Sequence, residues 1–236
     1  MSFSRRHARV CQVSLLAAGF LFTSAGLARA ESATDLGKQI YTQGAQGVTA
    51  CVTCHGAQGQ GMAAANFPYL AGQGSAYLDA QLQAFGNGTR SNPIMQPIAA
   101  ALSAPQRAAL TAYIDTLPRP WDATRLAAQA TSQPNAKDLG AWIANRGDWA
   151  HNIPACTQCH AAGGIGVAPH FPAIAGLSKT YIVEQFAQWR AGHRPSGPQD
   201  LMGGIAKHMN DEQINAVATY FSALPQAAAP AEGAQQ

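Results

Sequence analysis

The chain has 236 residues, enough for one large domain or two small ones, and only 11% are charged against 23 glycines and 14 prolines. That composition suits short helices and long loops, and excludes a charged coiled coil or a wholly disordered chain. The formal charge of +3 comes from the N-terminus: residues 1–30 hold four arginines and no acid, which leaves 11 basic and 12 acidic residues beyond them. Nucleic-acid binding therefore has no electrostatic support.

Residues 1–30 read as a cleavable secretory signal. Arg5, Arg6 and Arg9 form its basic end, an apolar stretch follows from Val13 to Leu27, and Ala28-Arg29-Ala30 fits the small-x-small cleavage pattern. A retained membrane anchor is the competing reading. The stretch is interrupted by Ser14, Thr23 and Ser24 and is short of the roughly 20 residues a span needs. Cys11 precedes the stretch and leaves with the signal, so Cys51, Cys54, Cys156 and Cys159 remain.

The rest of the chain is a tandem duplication. A helix is expected near 34–44, and its Asp35-Leu36-Gly37 returns as Asp138-Leu139-Gly140 in a second helix near 137–146. Cys51-Val-Thr-Cys54-His55 returns as Cys156-Thr-Gln-Cys159-His160. Phe67-Pro68, Ala71-Gly72, Tyr77, Gln81, Gly88 and Arg90 return as Phe171-Pro172, Ala175-Gly176, Tyr181, Gln185, Gly192 and Arg194. Helices are expected over 75–86 and 178–191, where Tyr77, Leu78, Leu82 and Phe85 recur at helical spacing. Residues 94–118 lie on 201–225 without a gap. The last helix of each half is expected at 104–117 and 211–224. Ser103 with Gln106 and Asn210 with Gln213 have capping-box spacing, and a proline stops each.

Domain boundaries follow: 31–118 and 137–225, with a Pro- and Ala-containing linker at 119–136 and a frayed tail at 226–236. No segment shows sustained strand alternation. Each half is small for a self-sufficient core, and a buried prosthetic group would supply apolar mass.

Cys-x-x-Cys-His is the attachment signature of haem c. Two intervening residues put both thiols on one turn, where they can bond two vinyl groups of one porphyrin, and the adjacent histidine supplies the proximal nitrogen. Cys51, Cys54 and His55 form one such set, and Cys156, Cys159 and His160 the other. A zinc site would bring its Cys-x-x-Cys pairs some 12–20 residues apart; here they are over 100 apart. A thioredoxin-like motif needs a βαβ setting, and a simple disulfide leaves the trailing histidines unexplained. Two covalently bound haem c groups are therefore expected.

Met95 and Met202 are the candidate second axial ligands, about 40 residues after His55 and His160 in a loop before the terminal helix. Met209 aligns with Leu102 and reads as core, and Met62 has no repeat partner. His151, His170, His193 and His208 also lack histidine counterparts and read as surface or supporting residues. Histidine–methionine ligation fills both axial positions, which favours electron transfer over catalysis.

These motifs, each Cys-x-x-Cys-His followed by Phe-Pro-x-Leu/Ile-Ala-Gly, Tyr-x-x-x-Gln, Gly-x-Arg and a methionine segment, resemble dihaem cytochrome c4 over residues 34–225. The resemblance implies an all-α fold, two class I cytochrome c domains related by a pseudo-twofold axis. It also implies that the carbonyls of Pro68 and Pro172 accept the Nδ1–H of the proximal histidines. It places the protein in the bacterial periplasm, in loose peripheral association with the membrane, passing electrons from a quinol-oxidising complex towards a terminal oxidase. A dihaem subunit of a periplasmic dehydrogenase oxidising sulfide, thiosulfate or an alcohol is the alternative, and a peroxidase is a third reading that needs a displaceable ligand. The chain departs from the pattern at Ala161, which follows the second motif histidine; at Leu177, opposite Gln73; and at Ser196–Asp200 before Met202.

Overall fold

The structure, a computed structural model, describes residues 24–130 and 133–227. Most of the expected signal and tail, and residues 131–132 of the expected linker, lie outside the described residues. The first half comprises α1 (Ser24–Gln43), α2 (Val52–His55), α3 (Ser75–Gly86), α4 (Met95–Ala100) and α5 (Ala104–Asp115). A helix α6 (Ala123–Ala130) follows, and then α7 (Leu139–Arg146), α8 (Thr157–His160), α9 (Lys179–Arg190), α10 (Leu201–His208) and α11 (Asp211–Ser222). Among the described residues the only β pairing is a set of isolated bridges, so the chain is all-α. No described helix is long and apolar enough to cross a membrane.

α1 begins ten residues before the expected start. Its N-terminal part is rich in alanine, with leucine, arginine and glutamate, all strong helix formers. The two terminal helices start where their caps dictate. Ser103 and Gln106 form a full capping box on α5, and Asn210 and Gln213 form another on α11. Asp138 caps α7 by accepting from the Ala141 N–H at 2.9 Å.

In each half the first and last helices cross at a glycine. A Cβ on Gly37 would fall 2.1 Å from the Ala109 carbonyl oxygen, and one on Gly140 would fall 2.3 Å from that of Ala216. Only glycine lets the backbones approach this closely. Ile40, Tyr41, Leu110 and Ile114 form the first core beside this crossing, and Ile143, Ala144, Val217 and Phe221 occupy the matching places in the second.

The segment expected as a plain linker is structured. Trp121 and Leu126 are buried and join the second core, with Leu126 packed on Gly163. The Asp122 N–H donates to the Pro225 carbonyl at 3.1 Å, and the Ala227 N–H to that of Pro120 at 3.1 Å. The start of the expected tail is thus tied to the connector. Pro118 and Pro120 mark a break in helix, but tertiary burial of two large apolar residues restores order immediately after it.

The halves meet with swapped contacts. Arg90 donates to the Tyr181 hydroxyl at 3.1 Å, and its repeat equivalent Arg194 donates to the Tyr77 hydroxyl at 2.9 Å. Each arginine also reaches the glutamine of its own half, Arg90 to Gln81 at 2.7 Å and Arg194 to Gln185 at 3.0 Å. This reciprocity is what a pseudo-twofold axis produces.

Two candidate haem-attachment sites

α2 and α8 are single turns built on the two cysteine motifs. The His55 N–H donates to the Cys51 carbonyl and the His160 N–H to that of Cys156, both at 2.9 Å. All four cysteines are free and half-buried, and each pair sits on one turn. Burial pushes the Cys51 thiol up to about 11 and that of Cys156 to about 12, with the neighbouring cysteine of each pair adding to the effect. Such thiols stay protonated at neutral pH, unlike the low-pKa thiolates of redox-exchange motifs. Among the described residues no cluster of histidine, cysteine or carboxylate side chains could hold a metal ion by itself.

His55 and His160 are buried, at 7% and 8% exposure. Nδ1 of His55 lies 2.8 Å from the Pro68 carbonyl oxygen, and that of His160 lies 2.7 Å from the Pro172 carbonyl oxygen. A carbonyl only accepts, so each Nδ1 carries the proton and each Nε2 keeps a free lone pair. Desolvation lowers the pKa of both rings, and the nearby Arg194 charge lowers that of His160 further. Both are held as neutral imidazoles in the tautomer that ligates iron. Phe67 and Phe171 stand edge-on to them at 6.2 and 6.5 Å.

Met95 and Met202 lie in short helices, where loops were expected. Met95 opens α4, held by the Asn92 side chain, which accepts from the Ile94 and Met95 N–H groups at 3.0 and 2.9 Å. Met202 follows the first residue of α10, which is preceded by a different device. Asp200 has φ 48°, accepts from the Ser196 hydroxyl at 2.5 Å, and pairs with Lys207 at 3.3 Å. Asn92 before α4, and Ser196, whose hydroxyl accepts from the Gly203 N–H at 3.0 Å in α10, satisfy first-turn donors that periodicity alone did not reveal. Both methionines are half-buried, and Met202 packs on the second core together with Cys156. Met209 is buried at 3% and Met62 is exposed at 39%. His151, His170, His193 and His208 are all exposed.

The polar group between the halves carried no assigned role in the sequence beyond its repetition. Arg90 and Arg194 are each 7% exposed, and neither forms an ion pair with a carboxylate among the described residues. Arg90 stacks over Phe85 and Arg194 over Trp189, both at 4.3 Å. The Arg194 Nε and Trp189 Nε1 donors are buried without partners. Buried cations and orphaned donors call for an anion, which a haem propionate would supply. Together with paired thiols on one turn and a buried histidine of fixed tautomer, the residues present fit haem c at both motifs.

Comparison with known proteins agrees with this chemistry. The family described as Cytochrome c matches residues 34–118 and 151–225. A thiosulfate dehydrogenase electron acceptor from Stutzerimonas stutzeri is 47% identical over 80% of this chain and 87% of its own length. Cytochrome c4 from Pseudomonas aeruginosa is 33% identical over 74% of this chain and 83% of its own. Among solved structures, the thiosulfate dehydrogenase TsdBA from Marichromatium purpuratum superposes with a TM-score of 0.69 at 33% identity, over 84% of this chain. The chain spans only 41% of that protein's length. Reduced cytochrome c4 from Pseudomonas stutzeri superposes at 0.64 with 27% identity, over 83% of this chain and 98% of its own. Two attachment motifs on one duplicated helical fold, matched along both halves by these relatives, place the chain in the cytochrome c family, as a dihaem electron-transfer protein of the cytochrome c4-like kind with two covalently bound haem c groups.

Proposed function

We propose that the protein is a periplasmic electron carrier that accepts electrons from a thiosulfate-oxidising dehydrogenase and passes them towards a terminal oxidase. The observation that carries this reading is the similarity gradient. Relatives named as thiosulfate dehydrogenase electron acceptors match at 47% and 41% identity, against 33% for cytochrome c4 of P. aeruginosa. When bound, each haem supplies a one-electron ferric/ferrous couple.

The chain's own residues hold that couple. Cys51 and Cys54 at the first site, and Cys156 and Cys159 at the second, provide the covalent anchors. His55 and His160 present Nε2 as proximal ligands, with Pro68 and Pro172 fixing their orientation through Nδ1. Met95 and Met202 would complete the set of residues that hold the two irons, and a thioether paired with an imidazole would favour a high potential and electron exchange over substrate binding. The protein is thus a carrier rather than a catalyst.

Partners dock on apolar surface. Ile94 and Leu201, which immediately precede the two methionines at equivalent repeat positions, are 50% and 47% exposed. Charge gives little steering, since residues 31–118 hold 3 basic and 4 acidic side chains and residues 137–236 hold 6 and 7. Transfer from a quinol-oxidising complex is the second reading, favoured by the superposition on the whole length of a cytochrome c4.

The test is anaerobic mixing of the oxidised dihaem protein with a thiosulfate dehydrogenase and thiosulfate, and separately with a quinol-oxidising complex and its quinol. Rapid appearance of the reduced haem bands in the first mixture supports the proposal. Reduction in the second mixture alone transfers the assignment to the quinol pathway.

A further inference from the structure

Gln73 stands where the internal repeat has Leu177. Both positions are buried, at 9% and 6% exposure, and leucine there is an ordinary core residue. Gln73 instead sends its side chain across the boundary between the halves, where Nε2 donates to the Ala173 carbonyl at 3.0 Å in a buried hydrogen bond. Only the NH₂ end of the amide can meet a carbonyl, so the partner fixes which way it points. Its Oε1 is left buried without a partner, a cost that leucine would avoid. Packing alone does not account for a polar residue at this place.

The recipient is the residue after Pro172. The Pro172 carbonyl accepts the Nδ1–H of His160 at 2.7 Å, so Gln73 pins the peptide adjoining the one that orients this histidine. Pro68 holds His55 in the same way in the first half. The residue after Pro68 is Tyr69, and Leu177, which would have to return the bond, has no donor. The first half therefore reaches the proximal loop of the second by a device that the second cannot reciprocate.

We propose that Gln73 is a positioning residue through which the first half sets the proximal hydrogen bond, and hence the reduction potential, of the second haem site. This rests on the assignment of His160 as an iron ligand. Holding the Ala173 carbonyl fixes the peptide plane next to Pro172 and keeps the Pro172 carbonyl aimed at Nδ1. A well-aimed acceptor makes the imidazole a stronger donor to iron and stabilises the oxidised state. Without the pin the acceptor swings, the bond weakens, and the second site becomes easier to reduce.

The experiment uses the full dihaem protein with Gln73→Leu, the repeat's own residue, and Gln73→Met, which keeps the length and removes the donor. A redox titration followed by proton NMR reads the haem methyl resonances of the two sites separately. The expected result in both variants is a shift of the second site's equilibrium towards the reduced form by about threefold, with the first site unmoved. An unchanged second midpoint, or equal movement of both, overturns the proposal. If His160 is not the ligand, the unsubstituted protein already lacks hyperfine-shifted imidazole resonances at the second site; that outcome overturns the ligand assignment and the proposal together.

Discussion

At the residue scale the two sites are built from the same parts with small, informative differences. Ala161 follows the second motif histidine where Gly56 follows the first, yet both have positive φ, 62° and 77°. With ψ at 164°, Ala161 occupies a region that glycine enters freely and other residues reach only under strain. Ala161→Gly is expected to raise stability by about 1 kcal/mol, since relief of strain exceeds the added freedom of the unfolded chain. Urea unfolding of the dihaem protein measures it. The methionines offer a second residue-level prediction. Met95→Ala and Met202→Ala should each remove about half of the weak far-red methionine-to-iron band of the ferric protein, and the double variant should remove all of it. A band that survives either single substitution at full strength excludes that methionine as a ligand.

At the scale of elements, the crossings of α1 with α5 and of α7 with α11 are the joints on which each half is assembled. Gly37 and Gly140 face backbone carbonyls, and backbone cannot rotate away as a side-chain tip can. Gly37→Ala and Gly140→Ala are each expected to cost about 1–3 kcal/mol through overpacking, offset only slightly by alanine's better helix propensity. Thermal unfolding should show a lower midpoint for both. The repeat matched both glycines as Asp-Leu-Gly, so the positions were legible, but their reason was not. A glycine in a helix reads as a weak point until the partner helix is known to press against it. The converse holds for α6. Its alanines and Leu126 favour helix locally but prolines flank it on both sides, and its place is explained by the burial of Trp121 and Leu126 against the second half.

For the whole molecule, two nearly neutral halves meet at a buried polar seam. The swapped Arg90–Tyr181 and Arg194–Tyr77 bonds hold the halves in a fixed relation. Against the effect of burial, the two arginine charges hold the Tyr181 phenol below its ordinary pKa. The outer surface carries a balance of charge that gives a further prediction. The rate of reduction by a partner enzyme should change only a few-fold between low and physiological salt, as expected without electrostatic steering. Stopped-flow rates across an ionic-strength series measure it, and a steep decline would refute docking on the exposed apolar residues beside the methionines.

The amino-acid sequence by itself determined the features that are covalent or local. Cysteines and histidine must share one turn to bond one porphyrin, so their chemistry is written in adjacent positions. Capping boxes span only four residues, and the duplication repeated every such signal, which is why the all-α architecture and helices α3, α5, α9 and α11 were readable in advance. Only the tertiary structure decided what depends on meetings between distant segments. It supplied the approach of Gln73 to Ala173, the exchange of arginines between halves, and the joining of Trp121 and Leu126 to the second core. Those contacts span up to 117 residues, and their free energy comes from desolvation and hydrogen bonding that exist only once the halves have docked. No local pattern encodes them.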